Sequence, residues 1–326
     1  MAEPRTPTSR HGLSSESSLL GHGPPEGEPA YDAHADVLDM PVAPARADEP
    51  ADFRDLRELV PAPDPERQID DWGRSQRFFD SFEPLLDFYY RYWFRVETEG
   101  IDNVPADGGA LLVSNHAGAL PPDAPMIMQA IQREHSRPRP LYMLGENWFK
   151  GYPGVSMMVN KLGLVAAHPA NAQRLLHDEG QLVLVFPEGM KGSRKLFWQR
   201  YRLRRFGRGG FVRTALRAGA PIVPIAVVGA EEAMPIFAHL PLLQRLTGLI
   251  YFPVNHAFPQ FGLAAALMYM PAKFKIRFLE PLDLSEYGPE DAEDLALVQR
   301  ISDRVRTAIQ LELDSMTSAR RSVWFG

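Results

Sequence analysis

The chain is 326 residues long and 45% hydrophobic, enough for one large domain or two small ones with a sizeable core. It contains no cysteine, which excludes disulfides, a thiol nucleophile and cysteine-ligated zinc or iron–sulfur centres. The net charge of −6 is unevenly spread: residues 1–70 hold 15 acidic and 6 basic side chains, whereas the rest hold 26 and 29.

Residues 1–68 are rich in Pro, Gly, Ser, Glu and Asp and show no hydrophobic periodicity. Such a segment cannot bury enough apolar area to offset its ordering entropy, so a disordered acidic arm is expected there. It has neither the basic start nor the apolar run of a signal peptide. Its "DAHAD" (32–36) looks faintly metal-like, but in such a composition the pattern is read as coincidence, and no metal site is expected.

Residues 69–326 are expected to form the domain. The first element, 69–95, reads as an aromatic amphipathic helix in which "FYYRYWFR" sets six aromatics among arginines. Trp and Tyr favour the headgroup zone and Arg favours anionic lipid, so the helix suits a membrane interface as well as a core. Strand and helix signals then alternate: "ALLVSN" (110–115) a strand, 123–133 a helix, "LYMLGE" (141–146) a strand, 171–180 a helix. "QLVLVFPEG" (181–189) is a strand, 209–220 a helix, "PIVPIAVVG" (221–229) and "KFKIRFLEPL" (273–282) strands, and 290–313 a helix. The alternation predicts a single α/β domain with a central mixed, largely parallel sheet flanked by helices.

Two stretches stand out by charge. Residues 189–230 carry ten Lys and Arg and no acid, a pattern that attracts phosphates. No recognition module accompanies it, so nucleic acid is not expected as a partner. Residues 233–272 carry a single formal charge, Arg245, but Pro253, Asn255, His256, Pro259 and Gln260 interrupt them. A membrane- or acyl-facing segment fits better than a spanning helix, which needs ~20 uninterrupted apolar residues.

The chemistry concentrates in "SNHAGALPPDAP" (114–125), where His116 and Asp123 lie seven positions apart. On a continuous helix they would be ~10 Å apart, so contact requires a chain that doubles back. Gly118 and Pro121–Pro122 favour that turn, and Asp123 suits the N-cap of the following helix. If the two meet, the carboxylate orients the imidazole and stabilises its protonated form, making a general base for an alcohol. If they do not, this is a turn histidine beside a capping aspartate. No G-x-S-x-G elbow, Walker A loop, dinucleotide fingerprint or H-E-x-x-H motif occurs.

Together, "SNHAGALPPD", "VFPEGMKG" and "IVPIAVVGAEE" resemble, in order and spacing, the three blocks of the glycerolipid (lysophospholipid) acyltransferase family. The resemblance covers roughly residues 90–285. It implies an O-acyltransferase in which His116 takes the proton from a lipid hydroxyl attacking an acyl thioester, with Asp123 orienting it. The thioester would be acyl-CoA or an acyl carrier protein conjugate, a co-substrate rather than a cofactor. Asn115, Glu188, Gly189, Lys191 and Arg194 would line the substrate site, and Pro224 would stand at its base. The resemblance further implies work at an anionic membrane surface, as a peripheral protein of the cytoplasmic face. Two departures are visible. The spacing is H-(x)6-D where the family commonly has H-(x)4-D, read here as a longer loop. The stretch "GLVAAHPANAQR" (163–174) lacks the arginine that grips a glycerol phosphate, with His168 or Arg174 as substitutes. Lysophosphatidate and a neutral or unusual lipid therefore both remain as acceptors, with a thioesterase or lipase, or a non-enzymatic lipid binder, as the other readings.

Overall fold

The structure, a computed structural model, describes residues 69–117, 122–145, 153–240, 242, 253–261 and 268–326. The expected arm, the turn at 118–121 and the middle of the uncharged 233–272 segment lie outside them.

Nine strands are described: β1 (Glu97–Glu99), β2 (Ala110–Ser114), β3 (Leu141–Gly145), β4 (Leu164–Ala166), β5 (Leu182–Val185), β6 (Ile222–Val228), β7 (Ala238–His239), β8 (Pro253–Val254) and β9 (Lys275–Phe278). Seven form one sheet in the order β1-β9-β6-β2-β5-β3-β4, and β7 pairs with β8 apart from it. All neighbours in the large sheet run parallel except β6 and β9. The sheet is thus mixed and largely parallel, as the alternating signals predicted. The middle strands β6, β2 and β5 read "IVPIAVV", "ALLVS" and "LVLV" and are buried along their whole length. Such unbroken apolar runs belong to strands covered on both faces. Towards the edge, "KIRF" of β9 alternates half-buried with buried.

The helices are α1 (Gln76–Phe88), α2 (Asp123–Glu134), α3 (Pro153–Lys161), α4 (Pro169–Gln173), α5 (Gly189–Ser193), α6 (Gly210–Ala218), α7 (Ala230–Ala233), α8 (Phe258–Phe261) and α9 (Leu295–Ser318). On one face of the sheet, α6 and α9 bring Phe211, Leu216, Ile301 and Ile309 against Val113, Val183 and Val228. On the other, α1 and α2 bring Phe79, Leu86, Ile127 and Ile131 against Leu112, Leu184 and Val227. Among the described residues, no helix is long and apolar enough to cross a membrane.

The aromatic segment is shorter and less regular than the expected 69–95 helix. It starts at residue 76, capped by the Ser75 hydroxyl, which accepts from Phe78 N–H. The chain before it is a turn built on Asp70, whose Oδ1 accepts from the Trp72 and Arg74 amides, both at 2.9 Å. After Phe88 the helix widens over Tyr89–Trp93, the Phe94 N–H reaching back five residues to the Tyr89 carbonyl at 2.8 Å. Short elements such as β1, β4 and α5 carry too few residues for a period to show in the sequence.

Candidate active site

The C-terminal ends of the parallel strands β2 and β5, and of β6 beside them, deliver the chain into one region, the edge where open α/β sheets bind ligands. At the end of β2, Asn115 is 1% exposed. Its side-chain amide donates to the Val227 carbonyl at 2.9 Å and accepts from the Val227 N–H at 2.8 Å. Both amide groups continue the ladder onto β6, so Asn115 anchors the next residue.

That next residue is His116. The chain doubles back and His116 Nδ1 lies 3.1 Å from Asp123 Oδ2. Asp123 is fully buried, while the His116 side chain retains 16% exposure. Asp123 does not cap α2; Pro122 holds that position without a side-chain bond, and Asp123 is the first helical residue. Its oxygens accept instead from the Ala117 N–H at 3.0 Å and the Ala124 N–H at 2.8 Å. Main-chain donors thereby hold the carboxylate aimed at the ring. A carboxylate only accepts, so Nδ1 carries the proton and Nε2 is left as the lone-pair nitrogen. The ring is stacked on Phe186, centroids 4.2 Å apart, which fixes its plane.

Phe186 opens the second motif, "FPEG". Glu188 is buried, and its oxygens point inward. Oε1 accepts from the His116 main-chain N–H at 3.3 Å and lies 3.3 Å from Lys195 Nζ. Oε2 accepts from the Arg204 N–H at 2.7 Å. Gly189 follows at φ +53°, a left-handed conformation that favours glycine. Gly192, which the sequence reading passed over, has no room for a side chain: a Cβ there would stand 2.6 Å from Glu188 Cβ and 3.2 Å from His116 Cβ. Lys191 lies on α5, with its side chain outside the described atoms. Arg194 ends α5, and its carbonyl accepts from His239 Nε2 at 2.8 Å.

The structure gives the two candidate phosphate residues local partners. His168 caps α4, accepting from the Ala170 N–H at 3.2 Å. Arg174 pairs with Asp71 and Glu179, each at 2.7 Å, and lies over the Trp72 ring.

A polar network under the site escaped the sequence reading. Lys195 is 1% exposed at its side chain and lies 2.8 Å from Glu231 Oε1 as well as near Glu188. Glu231 Oε2 accepts from the Tyr201 N–H at 3.1 Å, and the Tyr201 hydroxyl accepts from the Gly229 N–H at 2.9 Å. Beside it, Glu232 pairs with Arg320 and stands 3.6 Å from Arg200. Burial pushes the Glu231 carboxyl up to about 7, against the opposing pull of Lys195. Burial also works to lower the Lys195 ammonium, but the two carboxylates outweigh it and hold the group above its ordinary value. The one signal was "GAEE", the first acids after 42 residues without any.

Comparison with known proteins agrees with this arrangement. A family profile described as "Acyltransferase" matches residues 95–228, the span from β1 to the end of β6. An uncharacterized protein of Mycobacterium tuberculosis is 42% identical over 259 residues, 79% of this chain and 72% of that protein. One from Mycobacterium leprae is 43% identical over 259 residues, 79% of this chain and 70% of its own. A chicken protein named "DGAT1/2-independent enzyme synthesizing storage lipids" is 26% identical over 213 residues, 65% of this chain and 58% of that enzyme. Among solved structures, the 1-acyl-sn-glycerophosphate acyltransferase PlsC of Thermotoga maritima aligns with TM-score 0.49 and 18% identity, covering 83% of this chain and 89% of that one. With its profile match spanning both motifs and their strands, the chain belongs, with the mycobacterial proteins, to the acyltransferase family.

Proposed function

We propose that the protein transfers a fatty acyl group from an acyl thioester, on coenzyme A or an acyl carrier protein, to a hydroxyl of a lipid. The observation that carries this reading is the His116–Asp123 pair, held at 3.1 Å at the end of β2 with Nε2 left as the base. In the proposed reaction the lipid hydroxyl oxygen attacks the thioester carbonyl carbon while Nε2 takes its proton. The tetrahedral intermediate collapses, the C–S bond breaks, and the imidazolium returns the proton to the leaving thiolate. Asp123, with no route to solvent, stabilises the transient imidazolium. Exposed Arg202, Arg204, Arg205 and Arg208 follow directly on this region, with the Arg204 main chain bonded to Glu188. They supply positive potential for phosphate groups on donor or acceptor.

The test is an acceptor panel with one radiolabelled acyl-CoA: lysophosphatidate, other lysophospholipids, mono- and diacylglycerol, and buffer alone, resolved by thin-layer chromatography. Label is expected in an esterified lipid, with little free acid in the absence of acceptor. Free acid released at the same rate with or without acceptor would assign the protein to the thioesterases instead.

The same reading places the protein on a membrane surface. Leu85, Phe88 and Tyr92 are 50%, 46% and 68% exposed on α1 and the turn after it, with Arg91 beside them. Arg95 donates to the Trp324 carbonyl, bringing the C-terminal residues, with Phe325 85% exposed, to the same segment. Burying a large apolar side chain is worth about 1.5–3 kcal/mol. Phe88→Ser with Tyr92→Ser should therefore weaken co-sedimentation with phosphatidylglycerol-containing vesicles by at least about tenfold. Unchanged vesicle binding would remove this face from the proposal.

A further inference from the structure

We propose that Lys195 is a positioning residue for acyl transfer: its buried ammonium holds Glu188 ionised and so fixes the main chain that carries His116. The inference rests on the reading of His116 as the general base. Neither side chain has solvent to help it, with Lys195 at 1% exposure and Glu188 at 0%. Glu188 nevertheless serves two main-chain donors on opposite oxygens, the His116 N–H at 3.3 Å on Oε1 and the Arg204 N–H at 2.7 Å on Oε2. Only the ionised carboxylate accepts on both. A proton on either oxygen would face an N–H, and that donor would have to turn away.

The charged group facing Oε1 is the Lys195 ammonium, 3.3 Å away. Gly192 lies against both residues, with no room for a Cβ of its own beside Glu188 Cβ and His116 Cβ. A displaced Glu188 would therefore carry the base with it.

The surroundings decide where a proton goes. Facing Lys195 are Glu188 from the turn after β5 and Glu231 from α7, at 3.3 and 2.8 Å. Behind Glu231 lie Tyr201 and the Glu232 carboxylate, the latter paired with Arg320 and Arg200. Towards the site lies the His116–Asp123 pair. Two carboxylates share one ammonium, and burial pushes Glu231 up to about 7.

The experiment measures kcat from pH 6 to 9 for wild type, Lys195→Met and Lys195→Met/Glu188→Gln. In Lys195→Met the loss should be at least ~30-fold at pH 6.5 and shrink by about tenfold towards pH 9, as the uncompensated Glu188 ionises. The double variant, with no carboxyl at 188, should lose that pH dependence. An equal loss at every pH, or none, overturns the proposal. A wild type without acyl transfer, or a His116→Ala variant that retains it, would instead overturn the functional reading. If Lys195→Met does not fold, amide NMR of the wild type decides. The His116 and Arg204 N–H resonances should show no carboxylate titration between pH 5.5 and 9, while the Tyr201 N–H, bonded to Glu231, inflects near 7. An Arg204 N–H that inflects near neutrality overturns the proposal, since it reports Glu188 without a titrating ring of its own.

Discussion

His116→Ala is expected to lower kcat for acyl transfer by roughly 10²–10⁴-fold, the usual contribution of a positioned general base, with little change in KM. The reasoning starts from the hydroxyl. An alcohol is a poor nucleophile near neutral pH, and it attacks a thioester usefully only as its proton leaves. In the proposed reaction the base is Nε2 of a ring pinned at three points: Nδ1 by Asp123 at 3.1 Å, its face by Phe186 and its main chain by Glu188. Asp123→Asn should cost a similar order, because an amide can present its NH2 to Nδ1 and so favour the tautomer protonated at Nε2. The two residues act as one unit, so the double variant should be hardly slower than the worse single one. The substitution removes the proposed base and leaves the residues proposed to bind substrate, hence the small effect on KM. The measurement is steady-state turnover of the best acceptor from the panel, with circular dichroism to show that each variant is folded. A folded His116→Ala enzyme within threefold of wild type would eliminate His116 as the base.

Much of this arrangement could be read before the fold was seen, for identifiable reasons. β2, β5 and β6 are central strands buried on both faces, so their apolar runs stand out against any neighbours. Asn115–His116 and Pro187–Glu188 follow those runs directly, so both candidate motifs fall at strand ends. Contact between His116 and Asp123 was different: the spacing permits it only if the chain reverses, a tertiary fact that two residues do not contain. Glu188 shows the limit of residue type as a guide. An acid beside a basic stretch resembles a ligand-facing group, yet its oxygens are taken by two main-chain N–H groups and Lys195. Lys195 itself was one of ten basic residues in 189–230, and nothing in the sequence separates a buried lysine from nine others. Its burial depends on Glu231, 36 positions later, and on the packing of α7 after β6.

Arg320→Ala is the substitution expected to cost most in stability, about 3–5 kcal/mol, the range for removing one partner of a buried ion pair. Arg320 lies just beyond α9, yet its side chain is only 5% exposed, as is that of Glu232, its partner. Its guanidinium also donates to the Lys273 carbonyl at 2.7 Å and the Val323 carbonyl at 2.5 Å. Alanine would leave the Lys273 carbonyl short of a donor, the Val323 carbonyl with only the Lys273 N–H, and Glu232 with Arg200 alone, at 3.6 Å and 36% exposed. For a domain of this size the loss corresponds to a fall of roughly 6–20 °C in melting temperature. The charge, rather than lost volume, is the cause, and a second variant separates them. Arg320→Met with Glu232→Leu removes both ions and keeps apolar bulk, and such replacements are often neutral. The double variant should therefore regain most of what Arg320→Ala loses, by thermal or urea unfolding. A loss below about 1 kcal/mol for Arg320→Ala would mean that water reaches the pair, as at a surface salt bridge. The consequence reaches the candidate active site, because Glu232 is next to Glu231 on the single turn of α7. If Glu232 leaves its place to find water, that turn moves and Lys195 loses one of its two carboxylates. Arg320→Ala should then lower kcat as well at temperatures where the protein is still folded.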